Sequence, residues 1–200
     1  MREALRPILE LAVVIPGLLL AYFPVKSFLK QPCGKLAAWL VPMMLGLCVG
    51  GGLLCWHFRV STAYAIACVT GIAVFLYVKT SQISLWKSGT IALSVCAVYA
   101  CLNSLSRALN TVMLMRIQTI PTEPWFCLRA CIVYNAVCWL LTAAAYYPAT
   151  HAVRTMVEDD NFAQTWYVFW VLPLMFIVLN LFMIPIYPTT LYTGRVLQGY

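Results

Sequence analysis

The chain has 200 residues, of which 63% are hydrophobic and 10% charged, and its 13 Lys and Arg against 6 Asp and Glu give a net charge of +7. Soluble domains are about 45–50% apolar and about 25% charged, so this composition excludes an ordinary water-soluble domain. The basic residues are scattered and form no stripe, which argues against nucleic-acid binding and favours loops that lie near anionic lipid.

Six apolar runs approach the length of about 20 residues that a helix needs to cross a bilayer. They lie near 8–25, 36–56, 62–78, 88–106, 125–147 and 166–187. The sequence therefore predicts an all-α fold, in which residues 1–200 form a single transmembrane domain, a bundle of six transmembrane helices. The expected location is the cell membrane, with the lipid bilayer as the surrounding partner and the first run retained as a helix.

The first two runs contain breaks in their apolar pattern. Glu10 lies in the first run, where Pro16 and Gly17 predict a kink. In the second run Gly46 and Gly50 form a GxxxG motif, which permits two helix backbones to approach closely. We expect these glycines to pack against another helix of the same chain, with dimerisation as the less favoured use.

The fourth run contains a polar face. Asn103, Arg107 and Asn110 recur at i, i+4 and i+7, so they share one side of a helix. An unpaired charge in hydrocarbon costs on the order of 2.5 kcal/mol or more, so this face needs partners or water. The helix is expected to continue to about Arg116, before the prolines that follow it.

The last two runs flank an acidic loop. Arg129 lies four residues into the fifth run, and the cluster of Glu158, Asp159 and Asp160 precedes the sixth. Acids at this position stabilise the start of a helix, which is favoured here over metal binding. The nine cysteines are mostly inside apolar runs, so they indicate small buried residues, without disulfides or a metal site.

The sequence contains no motif for catalysis: Walker loop, GxSxG, HExxH and CxxC patterns are all missing. We therefore predict no catalytic residue, metal or cofactor in these residues. The remaining candidates are polar residues inside apolar runs, which include Asn135 and Asn180. The ligand-binding or intramembrane polar site is predicted at five of them: Glu10, Asn103, Arg107, Asn110 and Arg129. Glu10 is the natural partner of Arg107 or Arg129, while a purely structural ion pair or arginines that extend to the interface remain the alternative.

Basic residues collect on both sides of the predicted bundle, arginines on one and mostly lysines on the other. If Arg107 is discounted because it lies within the membrane, the lysine side has the larger count. The positive-inside rule then predicts a cytoplasmic lysine side and an external N-terminus.

Four stretches together resemble a known family: SLWKSG (84–89), ACLNSLSRALN (100–110), YYPATHAVRTMVEDDNFAQTWYVFWVLP (146–173) and LYTGRVLQGY (191–200). They are similar to the N-terminal membrane region of bacterial sensor histidine kinases of the GHKL type. The resemblance implies a further helix, a phosphoacceptor helix and an ATP-binding domain after Tyr200, and a homodimer through the full-length protein. No GHKL sequence box or phosphoacceptor motif occurs in these residues, so any kinase activity would reside in that C-terminal domain.

The predicted function is accordingly an integral-membrane signal-sensing module of a two-component sensor histidine kinase. It would relay a small-molecule or peptide signal, or the state of the membrane, to the cytoplasmic kinase. The alternative is a small-solute transporter or permease subunit, although residues 1–100 and 101–200 show no repeat of the kind that transporters often contain. A scaffold or assembly protein without a ligand is a third possibility.

Overall fold

The computed structural model describes residues 2–116, 125–158 and 166–183. Within these ranges the chain is helical and has no β-strand, which confirms the all-α prediction. The α-helices are α1 (Arg2–Ala12), α2 (Val14–Tyr22), α3 (Cys33–Phe58), α4 (Thr62–Thr80), α5 (Leu85–Arg116), α6 (Leu128–Pro148), α7 (Arg154–Glu158), α8 (Trp166–Phe169) and α9 (Val171–Met183). A 3₁₀ turn at Lys26–Phe28 and a π-helical turn at Ala149–Val153 complete the described elements.

Five helical stretches are long and apolar enough to cross a membrane. They are Glu3–Tyr22, which joins α1 and α2, followed by Cys33–Phe58, Thr62–Thr80, Leu85–Met113 and Leu128–Glu158. The sixth predicted run contains a shorter apolar helix, Val171–Asn180, and residues 184–187 lie outside the described part. The structure thus has helices at all six predicted positions, and five of them reach spanning length.

Two helices begin at a different residue than the sequence predicted. The first helix begins at Arg2, well before residue 8, because its polar first turns are helical as well. The fifth run was expected to be helical from residue 125, but α6 begins at Leu128. Its N-cap, Cys127, is extended, with φ −64° and ψ 151°, and the predicted continuation of α5 to Arg116 is confirmed.

The first helix is interrupted at Val13, between α1 and α2. Pro16 has no N–H to donate to the carbonyl of Ala12, and its ring crowds that carbonyl, which accounts for the interruption at Val13 just before the predicted kink site. The hydroxyl of Thr142 on α6 donates to the carbonyl oxygen of Pro16 at 3.4 Å. A side chain from a neighbouring helix therefore contacts the backbone close to the break.

The α1–α2 pair is the centre of the bundle. It packs against α3, α4, α5 and α6, and α1 packs most extensively against α3. Leu11 and Val13 of this stretch are almost completely buried, as is Val25 in the turn that follows α2. The helix that organises the fold is therefore the first one, and α5, which carries the predicted polar face, packs beside it.

Helix α3 approaches α1 through Gly52. A Cβ atom at Gly52 would lie 2.5 Å from Cγ1 of Ile8 and 2.8 Å from its Cα, whereas a Cβ at Gly46 or Gly50 would meet nothing within 4 Å. The expectation that the GxxxG pair packs inside the chain is wrong. Residues of α3 at four-residue intervals, Met44, Cys48 and Gly52, are buried, and the GxxxG glycines lie on the other side of the helix.

The bundle has two ends with different basic residues. The arginine end, with Arg6, Arg59 and Arg107, is where α1, α4 and α6 begin and where α3 and α5 end. There the indole Nε1 of Trp125 donates to the carbonyl oxygen of Val60 at 3.1 Å.

The opposite, lysine end contains Lys26, Lys30, Lys79 and Lys87. Lys30 donates through Nζ to the carbonyl oxygen of Lys79 at 2.7 Å, and Lys87 Nζ donates to that of Val157 at 2.7 Å. Lysines therefore hold the connections between helices at this end.

Candidate functional site

Glu10 lies at the centre of a polar cluster at the arginine end. Its side chain is on α1 and only 3% exposed. One carboxylate oxygen accepts a hydrogen bond from the hydroxyl of Thr62, which is 2% exposed, and the other accepts from the backbone N–H of Phe126 at 2.5 Å. A buried carboxylate needs such donors because its desolvation is costly. Glu10 thereby joins α1 to α4 and to the segment before α6.

That segment, Trp125, Phe126 and Cys127, is not helical, so its backbone groups need partners from elsewhere. Arg6 supplies two of them: its Nε donates to the carbonyl oxygen of Phe126 at 2.7 Å and its Nη2 to that of Trp125 at 3.1 Å. Asn110 on α5 accepts from the N–H of Cys127 at 2.8 Å. The 125–127 segment is therefore fixed by side chains from α1 and α5.

Arg107 lies beside this segment with a different set of contacts. Its guanidinium carbon is 5.7 Å from the centroid of the Phe126 ring, which is a cation–π arrangement. Its Nε is buried and has no hydrogen-bond acceptor among the described residues. Glu10 attracts Arg107 electrostatically, and so the two predicted site residues do share one environment.

The expected direct ion pair of Glu10 with Arg107 or Arg129 is not formed. Within 2–116, 125–158 and 166–183, the ion pair with an N···O distance under 4.0 Å is Arg154–Glu158, at 2.7 Å on exposed α7. Arg129 is exposed, because the neighbouring Ala130 and Cys131 occupy the buried side of α6. The structure therefore separates Arg129 from the cluster.

Of the three polar residues predicted to share one face of α5, only two contact the same part of the structure. Arg107 and Asn110 both contact the 125–127 segment, whereas Asn103 is half-buried and makes no side-chain hydrogen bond within the described part of the chain. Asn103 lies one helical turn farther from the arginine end than Arg107. The polar face predicted from the sequence therefore makes contacts only in its half nearer the arginine end, at Arg107 and Asn110.

Asn135 was recognised as an intramembrane polar residue but not placed in the predicted site, and Arg6 and Thr62 of the cluster were not singled out from the sequence. Asn135 on α6 donates to the carbonyl oxygen of Leu9 at 2.8 Å, and Arg6 and Thr62 make the contacts described above. The position of Arg6, four residues before Glu10 and hence on the same face of α1, was a usable signal. The sequence contains no signal that Thr62 belongs to the cluster, because a threonine at the start of an apolar helix is common.

A second polar contact connects α5 with α9. The hydroxyl of Ser104 donates to Oδ1 of Asn180 at 2.6 Å, and Nδ2 of Asn180 is 3.2 Å from the sulfur of Cys101. Polar side chains between apolar helices commonly stabilise their packing. This contact therefore attaches the last described helix to the bundle.

Among the described residues no group of three or more His, Cys, Asp or Glu side chains is close enough together to hold a metal ion. Two acids of the predicted helix-start cluster, Asp159 and Asp160, lie outside the described residues.

The chain matches none of the protein-family models, curated proteins or solved structures with which it was compared. The fold and the cluster therefore define the class on their own. Over its described residues the chain is an all-helical bundle with five helices of membrane-spanning length and a charged cluster around the buried Glu10 at one end.

Proposed function

We propose that the chain is a multi-pass cell-membrane module that senses a signal at the arginine end. Large apolar side chains on four different helices, Leu54, Phe75, Leu140 and Leu172, are each more than half exposed. Soluble monomers rarely present so much continuous apolar surface, whereas lipid is a suitable environment for it. This surface and the length of the five helices support the membrane location.

The observation that carries the sensing role is the buried charged cluster around Glu10. Ionisable residues within a membrane bundle are costly and usually mark a functional site. Here Glu10, Arg6 and Arg107 converge on the 125–127 segment, from which α6 starts. A ligand that alters these contacts acts at once on α1, α5 and α6.

The proposed mechanism is a shift between two packings of the helices. A ligand changes their populations only if it binds one packing more tightly than the other. The interruption at Val13 and the π-helical turn at Ala149–Val153 depart from regular α-helical hydrogen bonding, and long helices commonly bend at such departures. Both lie within helical stretches that also contribute residues to the cluster.

The receiver of the signal is, in this proposal, the kinase domain of a two-component sensor histidine kinase. The support is the resemblance of the four stretches, which also implies a homodimer and a small-molecule or peptide signal. Kinase activity itself is assigned to a domain beyond these residues.

The test uses the full-length protein encoded by the gene, in membrane vesicles, with autophosphorylation as the readout. Coupling energies of about 1–3 kcal/mol correspond to about 5–150-fold effects, so Glu10→Gln should change the phosphorylation rate at least about fivefold. The exposed Arg129→Gln is the matched control and should stay within about twofold of wild type. A gene that encodes no kinase domain, or equal behaviour of the two variants, would refute the proposal.

The alternative of a small-solute transporter or permease subunit is favoured by one observation, the interrupted first helix at Val13. Transporters often bind substrates where a helix is discontinuous. Uptake of a solute by proteoliposomes that contain only this chain would support the alternative over the sensor.

A further inference from the structure

The two arginines of the cluster differ in how their donors are used. Arg6 donates to the carbonyl oxygens of Phe126 and Trp125. Arg107 instead lies against the Phe126 ring, and its Nε is buried without an acceptor among the described residues. A guanidinium has five N–H donors in one plane, and burying such donors without acceptors is unfavourable. The Nε donor of Arg107 therefore lacks an acceptor among the described residues.

The nearest acceptors are already used by other donors. The two carboxylate oxygens of Glu10 accept from Thr62 and from the Phe126 N–H. The side-chain oxygen of Asn110, one turn along α5 from Arg107, accepts from the N–H of Cys127. Each of these oxygens already accepts a hydrogen bond from another donor, and none of them accepts one from Arg107.

We propose that Arg107 is the anchor of a binding site for an oxyanion, either a carboxylate or a phosphate group. Such anions accept two parallel hydrogen bonds from a guanidinium, which is the geometry that arginine recognises best. The guanidinium carbon lies 5.7 Å from the centroid of the Phe126 ring, a contact that stabilises the cation without supplying a hydrogen-bond acceptor. The inference rests on the proposed sensing function and names the chemical class of its ligand.

The depth of Arg107 is compatible with two sources of this anion. Helix α5 has 32 residues and extends to Arg116, nine residues or about 14 Å beyond Arg107 at a rise of about 1.5 Å per residue, so part of the helix extends beyond a hydrocarbon core of about 30 Å. Half-buried at that depth, Arg107 is within reach of a lipid phosphate at the headgroup level and of a small anion that enters from water. The chemistry recognised is the same in both cases.

The experiment measures thermal unfolding of the purified chain in a neutral detergent. One arm adds inorganic phosphate, with chloride at equal ionic strength as its reference. The other adds short-chain phosphatidylglycerol, with phosphatidylcholine as its reference. A ligand that binds the folded state raises the unfolding midpoint, and we expect a rise of about 2–4 °C at saturation in one arm. A rise with phosphate assigns the site to a soluble anion, and a rise only with phosphatidylglycerol assigns it to lipid.

The variants decide whether Arg107 is responsible. Arg107→Gln should weaken the apparent affinity at least about tenfold, and Arg107→Lys, which keeps the charge without the planar donors, should be intermediate. Arg129→Gln removes an exposed arginine from the same end of the bundle and should stay within about twofold of wild type.

The proposal is overturned if neither anion raises the midpoint of wild type above its reference. It is equally overturned if Arg107→Gln and Arg107→Lys bind as wild type does, or if Arg129→Gln loses as much affinity as Arg107→Gln. Because the readout does not involve a kinase, normal anion binding combined with no effect on phosphorylation would refute the sensing function and leave the site intact.

Discussion

Gly52 provides a sharp test of how the central helix packs. Replacing it with alanine would place a methyl group 2.5 Å from Cγ1 and 2.8 Å from Cα of Ile8. Carbon atoms in good contact are about 3.5–4.0 Å apart, so α1 and α3 must separate by about 1 Å. Overpacking of this kind typically costs about 1–3 kcal/mol, which is offset in part by the better helix propensity of alanine, worth about 0.8–1 kcal/mol.

Gly50→Ala is the matched control, because it lies on the same helix and its new methyl group meets nothing within 4 Å. The propensity gain is common to both variants, so it cancels when they are compared. We expect Gly52→Ala to be less stable than Gly50→Ala by about 1–3 kcal/mol. The assay is unfolding in mixed micelles with increasing SDS, monitored by the loss of helical circular dichroism.

A second substitution tests the cause. Ile8→Ala in the Gly52→Ala background removes Cγ1 but leaves the Cα and N of residue 8, at 2.8 Å and 2.9 Å from the added methyl. It should therefore restore little of the lost stability. Equal unfolding midpoints for Gly52→Ala and Gly50→Ala would refute the close approach of α1 and α3.

Three further substitutions test polar contacts between helices, each by the same unfolding assay. Thr62→Val leaves a buried oxygen of Glu10 without its hydroxyl donor and should cost about 1–3 kcal/mol. Asn135→Leu removes donors to two carbonyl oxygens, at 2.8 Å and 3.0 Å, and should cost about 1–2 kcal/mol in total. Ser104→Ala removes the 2.6 Å hydrogen bond to Asn180 and should cost about 0.6–1.7 kcal/mol, with faster proteolysis of α9.

Two of these substitutions have a matched control. Thr62→Ser keeps the hydroxyl and should retain most of the stability. Ser94→Ala removes a serine of α5 whose hydroxyl donates only within its own helix, to the carbonyl oxygen of Thr90 at 2.8 Å, so it should have little effect on α9. If Thr62→Val is no worse than Thr62→Ser, Glu10 does not depend on that donor. If the unfolding curve of Asn135→Leu coincides with that of wild type, the hydrogen bonds of Asn135 do not contribute to stability.

The positions of the helices were predictable because hydrophobicity along a chain is a local property. Long apolar runs form helices wherever proline and polar turns permit, and Pro16 identified the break at Val13. The start of α6 was not predictable in this way. Residues 125–127 are apolar, yet Glu10 and Asn110 accept hydrogen bonds from their backbone N–H groups, and these acceptors lie far away in sequence.

The candidate site was predictable in part for the same reason. Glu10, Arg107 and Asn110 were recognisable as polar residues within apolar runs. Their partners, such as Thr62 and the Phe126 backbone, belong to other elements and have no pattern of their own.

The sequence by itself determined that this protein is helical, where its helices lie and which polar residues are costly to bury. Only the tertiary structure decided how each helix is rotated about its axis. That rotation selected Gly52 over Gly46 and Gly50 as the close contact, and it left Arg107 half-buried and Arg129 exposed. Hydropathy is nearly uniform around such helices, so their orientation is set by packing against neighbours, above all against the central first helix.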